Sequence, residues 1–228
     1  MSKKFMYVPK HIFDIDGAYN ELGTIGVSVI VGLCRRMNPQ LQTSTVSLRL
    51  LYEDVGFNYR DNRMRKKYLQ TLQYLQDTHQ IQINLEEDIK TISINQAFDV
   101  FIYYDLIPFI KLYAHELEAI RNYDGRPAMK LRMLTVFLYI VSHINDKTKH
   151  ATFVAKSTIA SDLQFDDRTL SNYLHILSDD IGILYKQGYK RTEDGFIIQL
   201  WNRNIEEYIW QHRIAFKNDK TIFELPDE

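Results

Sequence analysis

Apolar and polar positions follow one block pattern twice in this chain, about a hundred residues apart. The first copy is Leu50-Leu51-Tyr52-Glu53-Asp54-Val55-Gly56-Phe57-Asn58. The second is Thr158-Ile159-Ala160-Ser161-Asp162-Leu163-Gln164-Phe165-Asp166. Each predicts a short helix, a tight turn with a buried Phe, and a longer helix. In the longer helix of the first copy, Met64, Tyr68, Leu72 and Leu75 form one stripe at helical spacing. In the second, Leu170, Leu174, Leu177 and Ile181 do the same.

Alternating runs follow each copy. Ile81, Ile83 and Leu85 alternate, as do Ile92 and Ile94, with Glu86-Glu87-Asp88 between them, which predicts a first β-hairpin. Ile183 to Tyr185 and Phe196 to Leu200 predict a second, joined by a loop from Gly188 to Gly195. Ahead of the first copy, Leu22, Ile25, Val29, Ile30, Leu33 and Met37 predict a helix from Glu21 to Asn38. Its Gly23, Gly26 and Gly32 lower helix propensity or mark close packing on another helix. Further helices are expected over Ile110 to Asn122, from Pro127 to about Ile144, and over Ile205 to Phe216. Residues 96–111 are too apolar for a free linker and read as an ordered connector, with Tyr103 and Tyr104 as core aromatics.

The expected fold is therefore mainly α with small β-hairpin wings, as two tandem winged helix-turn-helix domains. The boundaries would be 1–97 for the first domain, 98–111 for the connector and 112–228 for the second domain with its terminal helix. Such folds dock on double-stranded DNA through the longer helix. The first of these carries Arg60, Arg63, Arg65, Lys66, Lys67 and Gln70, opposed by Asp61 alone in its opening turns. Arg can pair with guanine in bidentate fashion, while Lys mostly meets phosphate. The second offers Arg168, Ser171 and Asn172, with Lys190 and Arg191 expected at a wing tip. Asp162, Asp166 and Asp167 crowd its entrance, which leaves protein contact as an equal alternative. The acidic first wing is expected to turn away from DNA or to meet a protein. Lys111, Arg121, Arg126, Lys130 and Arg132 form a second basic group, either a phosphate-facing surface or a solvated face.

Composition narrows the classes. The formal net charge is −1 over 228 residues, so any nucleic-acid contact must come from local rather than uniform basicity. The single Cys34 lies in an apolar pattern and reads as a buried structural thiol. No phosphate-binding Gly-rich loop, HExxH motif or Cys-His cluster occurs, so no catalytic residue, metal or cofactor is expected and the chain reads as a non-enzyme. Absence of a leader or an 18-residue apolar run gives a cytoplasmic, non-membrane expectation. Fifteen Tyr and twelve Phe also raise base stacking on single strands, although most fall at core spacing.

The opening Phe5-Met6-Tyr7-Val8-Pro9-Lys10-His11-Ile12-Phe13, followed by a long helix and a winged-helix pattern, resembles replication-initiator proteins of Gram-positive plasmids and mobile elements. The tandem arrangement is also similar to initiators built from two winged helices and to DnaD-type primosomal proteins of low-GC bacteria. The resemblance covers residues 5–95 loosely and the second half by architecture. It implies binding to origin repeats and recruitment of host replication proteins. A transcriptional regulator of the same fold and a protein-interaction or loader-docking module are the rival readings. The terminal helix is a candidate homodimer contact, with packing on its own domain the commoner alternative.

Overall fold

In the computed structural model, the described residues are 5–14, 17–54, 62–103, 108–144, 152, 154–191, 193, 197–206, 208–209 and 222–223. The fold is mixed α/β, with small antiparallel sheets among the described residues and none closed into a barrel. Two compact units divide the chain, Met1–Leu131 and Arg132–Glu228.

The first unit opens with β1 (Phe5–Pro9) and a 3-10 turn (Lys10–Phe13), then α1 (Ala18–Arg36). Two short strands follow, β2 (Met37–Asn38) and β3 (Thr43–Val46), then α2 (Leu48–Asp54) and α3 (Asn62–Asp77). Strands β4 (Ile81–Asn84), β5 (Phe98–Ile102) and β6 (Phe109–Tyr113) lead to α4 (Ala114–Asn122). The main sheet has the order β2-β3-β5-β4, so β5 lies between the strand that precedes α2 and the strand that follows α3. Strand β6 pairs instead with β1.

Helix α1 is buried all round from Gly26 to Cys34, as expected for a helix at the centre of a core. Two of its glycines have separate jobs. Gly23 breaks the helix with φ 60 and ψ −150, a backbone region that is essentially Gly-only. Gly32 is a close approach: a Cβ there would sit 2.8 Å from Leu51 Cδ2 of α2. Against α1 pack Leu48, Leu51 and Tyr52 of α2 and the expected stripe of α3, with Tyr68, Leu72 and Leu75 fully buried and Met64 nearly so. The Ser28 and Tyr68 hydroxyls lie 3.0 Å apart in this core, and burial pushes the Tyr68 phenol above its ordinary value. Cys34 is buried here as well.

Helix α5 (Pro127–Ser142) runs from the end of the first unit into the second and is buried on every side from Met133 to Ser142. The second unit continues with α6 (Lys156–Asp162) and α7 (Asp167–His175), the latter extended by a π-helical turn (Ile176–Asp180). Strands β7 (Leu184–Arg191) and β8 (Ile197–Arg203) form a hairpin with a bulge between Lys186 and Gly188. Thr152 bridges to Trp201 on the far side of β8, and β9 (Ile222–Phe223) pairs with β7. A strand position before the short helix thus again lies beside the second hairpin strand, as in the first unit. In the turn between α6 and α7, Gln164 stands where the first copy has Gly56, and it takes φ 49.

Several sequence expectations are corrected. The first hairpin returns through Phe98–Ile102, not Ile92–Ile94, because Ile81 to Asn84 pair in register with Ile102 to Asp99. Residues expected to form a connector are thus strands β5 and β6 of the first unit. The helix expected from Ile110 begins at Ala114, since Phe109–Tyr113 pairs with β1. Helix α1 stops at Arg36, three residues before Pro39, where β2 takes over. The loop expected from Gly188 is strand as far as Arg191. Tyr103 is exposed rather than core, and its hydroxyl donates to Gln82 Oε1 at 3.0 Å. Phe165, expected to be buried, is half-buried. Phe57, Tyr104 and most of the expected terminal helix lie outside the described residues.

Candidate nucleic-acid interface

The face of α3 turned away from its buried stripe carries Arg63, Lys66, Lys67 and Gln70, all exposed. Steps of three, one and three place these four on one side of the helix. Arg65 lies on the flank and does something else: its Nη2 donates to the carbonyl of Ile92 at 2.7 Å. Arg60 lies outside the described residues.

That bond belongs to the long loop between β4 and β5. Ile89 and Ile92 are buried, and Asp88 shapes the turn, its Oδ1 accepting the Lys90 amide at 2.9 Å and its carbonyl accepting Thr91 Oγ1 at 2.7 Å. Two buried isoleucines and the Arg65 bond therefore tie the loop to the first unit. Glu86, Glu87 and Asp88 remain exposed on it. Along α3 runs an open groove of about 620 Å³, lined by Arg65, Lys66, Leu69, Gln70, Gln73, Tyr74, Asp77 and the loop residue Lys90. Lys90 thus joins Arg65 and Lys66 as a third cation lining the groove, one that sequence spacing did not bring to α3. Its signal was its place in the hairpin loop, which becomes visible only once β5 is known to be the return strand.

In the second unit, Arg168, Ser171, Asn172 and His175 share the exposed face of α7. The acidic entrance is partly committed to structure. Asp166 caps the helix, accepting the Thr169 amide at 2.8 Å and the Thr169 hydroxyl at 2.6 Å, and these bonds hold its carboxyl below the usual aspartate value. Asp162 accepts the Tyr139 hydroxyl, whose own ionisation is pushed up by burial and then by this carboxylate. Ser171 Oγ donates to the Asp167 carbonyl at 2.6 Å and accepts from Lys156 Nζ. Lys156, from α6, is therefore a cation at this face that the sequence reading missed. His175 pairs with Asp179. Lys190 is half-buried one residue before the end of β7, opposite Ile198 and Ile222, while Arg191 is exposed at the strand end. Neither is at a described hairpin tip.

Two members of the second basic group, Arg121 and Lys130, are held by hydrogen bonds within the first unit. Arg121 donates to both Glu118 oxygens and to the Glu53 carbonyl, and Lys130 donates to the Arg121 carbonyl at 2.7 Å. Arg132 lies over the Phe165 ring at 5.9 Å. Lys111 is on β6, 5.7 Å from the Phe5 ring centroid, and Arg126 is exposed in the turn before α5.

Among the described residues no helix is long and apolar enough to cross a membrane, and no group of three or more His, Cys, Asp and Glu side chains is gathered as for a metal ion. No family model matches the chain, nor does any curated protein or solved structure.

Proposed function

We propose that the chain binds double-stranded DNA through α3 of its first unit, as an initiator of replication on a plasmid or mobile element. The observation that carries the DNA reading is the shared exposed face of Arg63, Lys66, Lys67 and Gln70 on a helix whose opposite face is fully packed. Both units read as winged helix-turn-helix domains. In support, each has a long helix, then a strand position, a short helix, a longer helix and a hairpin, and the first strand position lies beside the second hairpin strand. In that arrangement the longer helix enters the major groove, where Arg and Gln read base edges and Lys meets phosphate. The replication role rests on the resemblance of residues 5–95 to plasmid initiators, with origin repeats as target and host replication proteins as partners.

Anisotropy of a labelled duplex across a salt series tests the first step. Binding should weaken steeply with salt, and replacing Arg63 and Lys67 together with Glu should abolish it. Footprinting on the DNA region that encodes the chain tests the second, because protection of repeats there is expected of an initiator. Uniform weak protection would leave only a non-specific binder. One observation favours a docking role for the second unit. Asp166 and Asp167 stand at the start of α7, where a phosphate would otherwise approach the helix end.

A further inference from the structure

The β1–β6 ribbon has two unlike faces. Residues opposite each other in an antiparallel pair share a face, and the register sets Phe5 against Tyr113, Tyr7 against Lys111 and Pro9 against Phe109. The alternate positions, Val8, Ile110 and Leu112, are buried. The first face is therefore the outer one at Phe5 and Phe109, with Tyr7, Lys111 and Tyr113 half-buried on it and Pro9 buried at its end. Phe5 and Phe109 remain 41% and 45% exposed on it, a large apolar cost if nothing ever covers them.

The rings on this face form a row. Phe109 and Tyr7 have centroids 4.3 Å apart, Tyr7 and Phe5 5.1 Å, and Phe5 and Tyr113 5.9 Å, all edge to face. Lys111 sits within the row, its Nζ 5.7 Å from the Phe5 centroid. Lys10 is exposed at the end of β1. Residues 5–13 and 108–115 include these two lysines and not one Asp or Glu.

We propose that this ribbon is a stacking platform for single-stranded DNA, a second nucleic-acid site separate from the exposed face of α3. Base faces stack on aromatic rings whatever their sequence, and a cation interleaved with the rings meets the phosphate between stacked bases. Charge argues for this occupant over a protein, since the cores of protein interfaces are depleted in lysine and this face has one at its centre. The choice of DNA over RNA rests on the duplex reading of α3. A protein that holds a duplex on one face and a single strand on another can retain a strand freed from that duplex.

The test uses the full chain with labelled oligothymidylate, labelled oligouridylate and a labelled random duplex, each followed by anisotropy. The Phe5→Ala/Phe109→Ala variant should bind oligothymidylate at least about tenfold more weakly and the duplex unchanged. Replacing Arg63 and Lys67 with Glu should do the reverse, so failure of the duplex reading is separately visible. Phe109→Trp keeps a ring at the site, so it should keep the affinity, and its fluorescence should be quenched by oligothymidylate. The proposal is overturned if the native chain ignores oligothymidylate, if the double variant binds it as well as the native chain, or if oligouridylate is preferred. It is equally overturned if the double variant changes only self-association in sedimentation, which would make the face a contact between copies.

Discussion

Two carboxylates show how differently an aspartate can be used. Asp54, at the end of α2, is almost fully buried and ion-paired with Arg35 and Arg36 of α1, while Arg35 reaches on to Glu118 of α4 at 2.7 Å. Burial, and then neighbouring arginines, lower the pKa of both Arg35 and Arg36, so the cluster depends on its carboxylates to remain assembled. Asp54→Ala should destabilise the chain by about 3 kcal/mol, because it removes the buried carboxylate between two partly buried cations and leaves Arg35 only its pair with Glu118. A urea midpoint unchanged from the parent would refute this. Asp166 is the opposite case, an exposed cap whose value is lowered by its bonds to Thr169. A depressed folded value means that its contribution is present above the unfolded value and is lost as pH falls through the folded one. The Thr169 amide should therefore shift in an NMR titration with a midpoint below 3.8, the ordinary value for this carboxyl. In Asp166→Asn that acid transition should vanish from the Thr169 signal.

At the scale of elements, what could be read from the chain depended on whether a face was one-sided. The stripes of α3 and α7 were legible because their other faces are polar, so periodicity alone marked Tyr68, Leu72, Leu170 and Leu174 as core. Strands β1 and β6 were not, because Phe5, Tyr7 and Phe109 make the outer face as apolar as the inner one and erase the alternation. Strand β5 alternates at Phe98, Val100 and Ile102, but Phe101 blurs the run and the nearer Ile92–Ile94 offered a shorter loop. Ile92, together with Ile89, instead buries the loop against the first unit. The candidate interface was legible to the same extent: exposed residues on α3 were found, but Arg65 was grouped with them although it serves the loop. Arg65→Ala should thus weaken duplex binding without changing its salt slope, and should speed hydrogen exchange across the loop from Leu85 to Ala97. Loss of about one unit of slope would instead make Arg65 a phosphate contact. The break in α1 gives a second prediction. Gly23→Ala should cost about 1–3 kcal/mol, although Ala favours helix, because φ 60 with ψ −150 admits a Cβ poorly. A stabilised variant in thermal denaturation would mean that α1 can run straight through this point.

For the whole molecule, a net charge of −1 makes long-range attraction to DNA weak, so the contact must be carried by a few residues. The two units are unequal in this respect. The exposed side of α3 has Arg63, Lys66 and Lys67 in its first two turns, with Asp77 at its far end. Helix α7 starts with Asp166 and Asp167 beside Arg168, and its Ser171 is already bonded to Lys156 and to the Asp167 carbonyl. Counterion release turns this inequality into a measurement, because each phosphate contact adds about 0.9 to the slope of log affinity against log salt. Lys67→Gln should reduce that slope by about 1. Arg168→Gln should leave it unchanged, since the neighbouring carboxylates keep phosphate from the start of α7. The double variant should then match Lys67→Gln alone. If Arg168→Gln also removes about one unit, both units hold the same duplex and the docking role for the second is lost. If neither variant changes the slope, the basic face of α3 is a solvated helix surface and the DNA reading fails at its foundation.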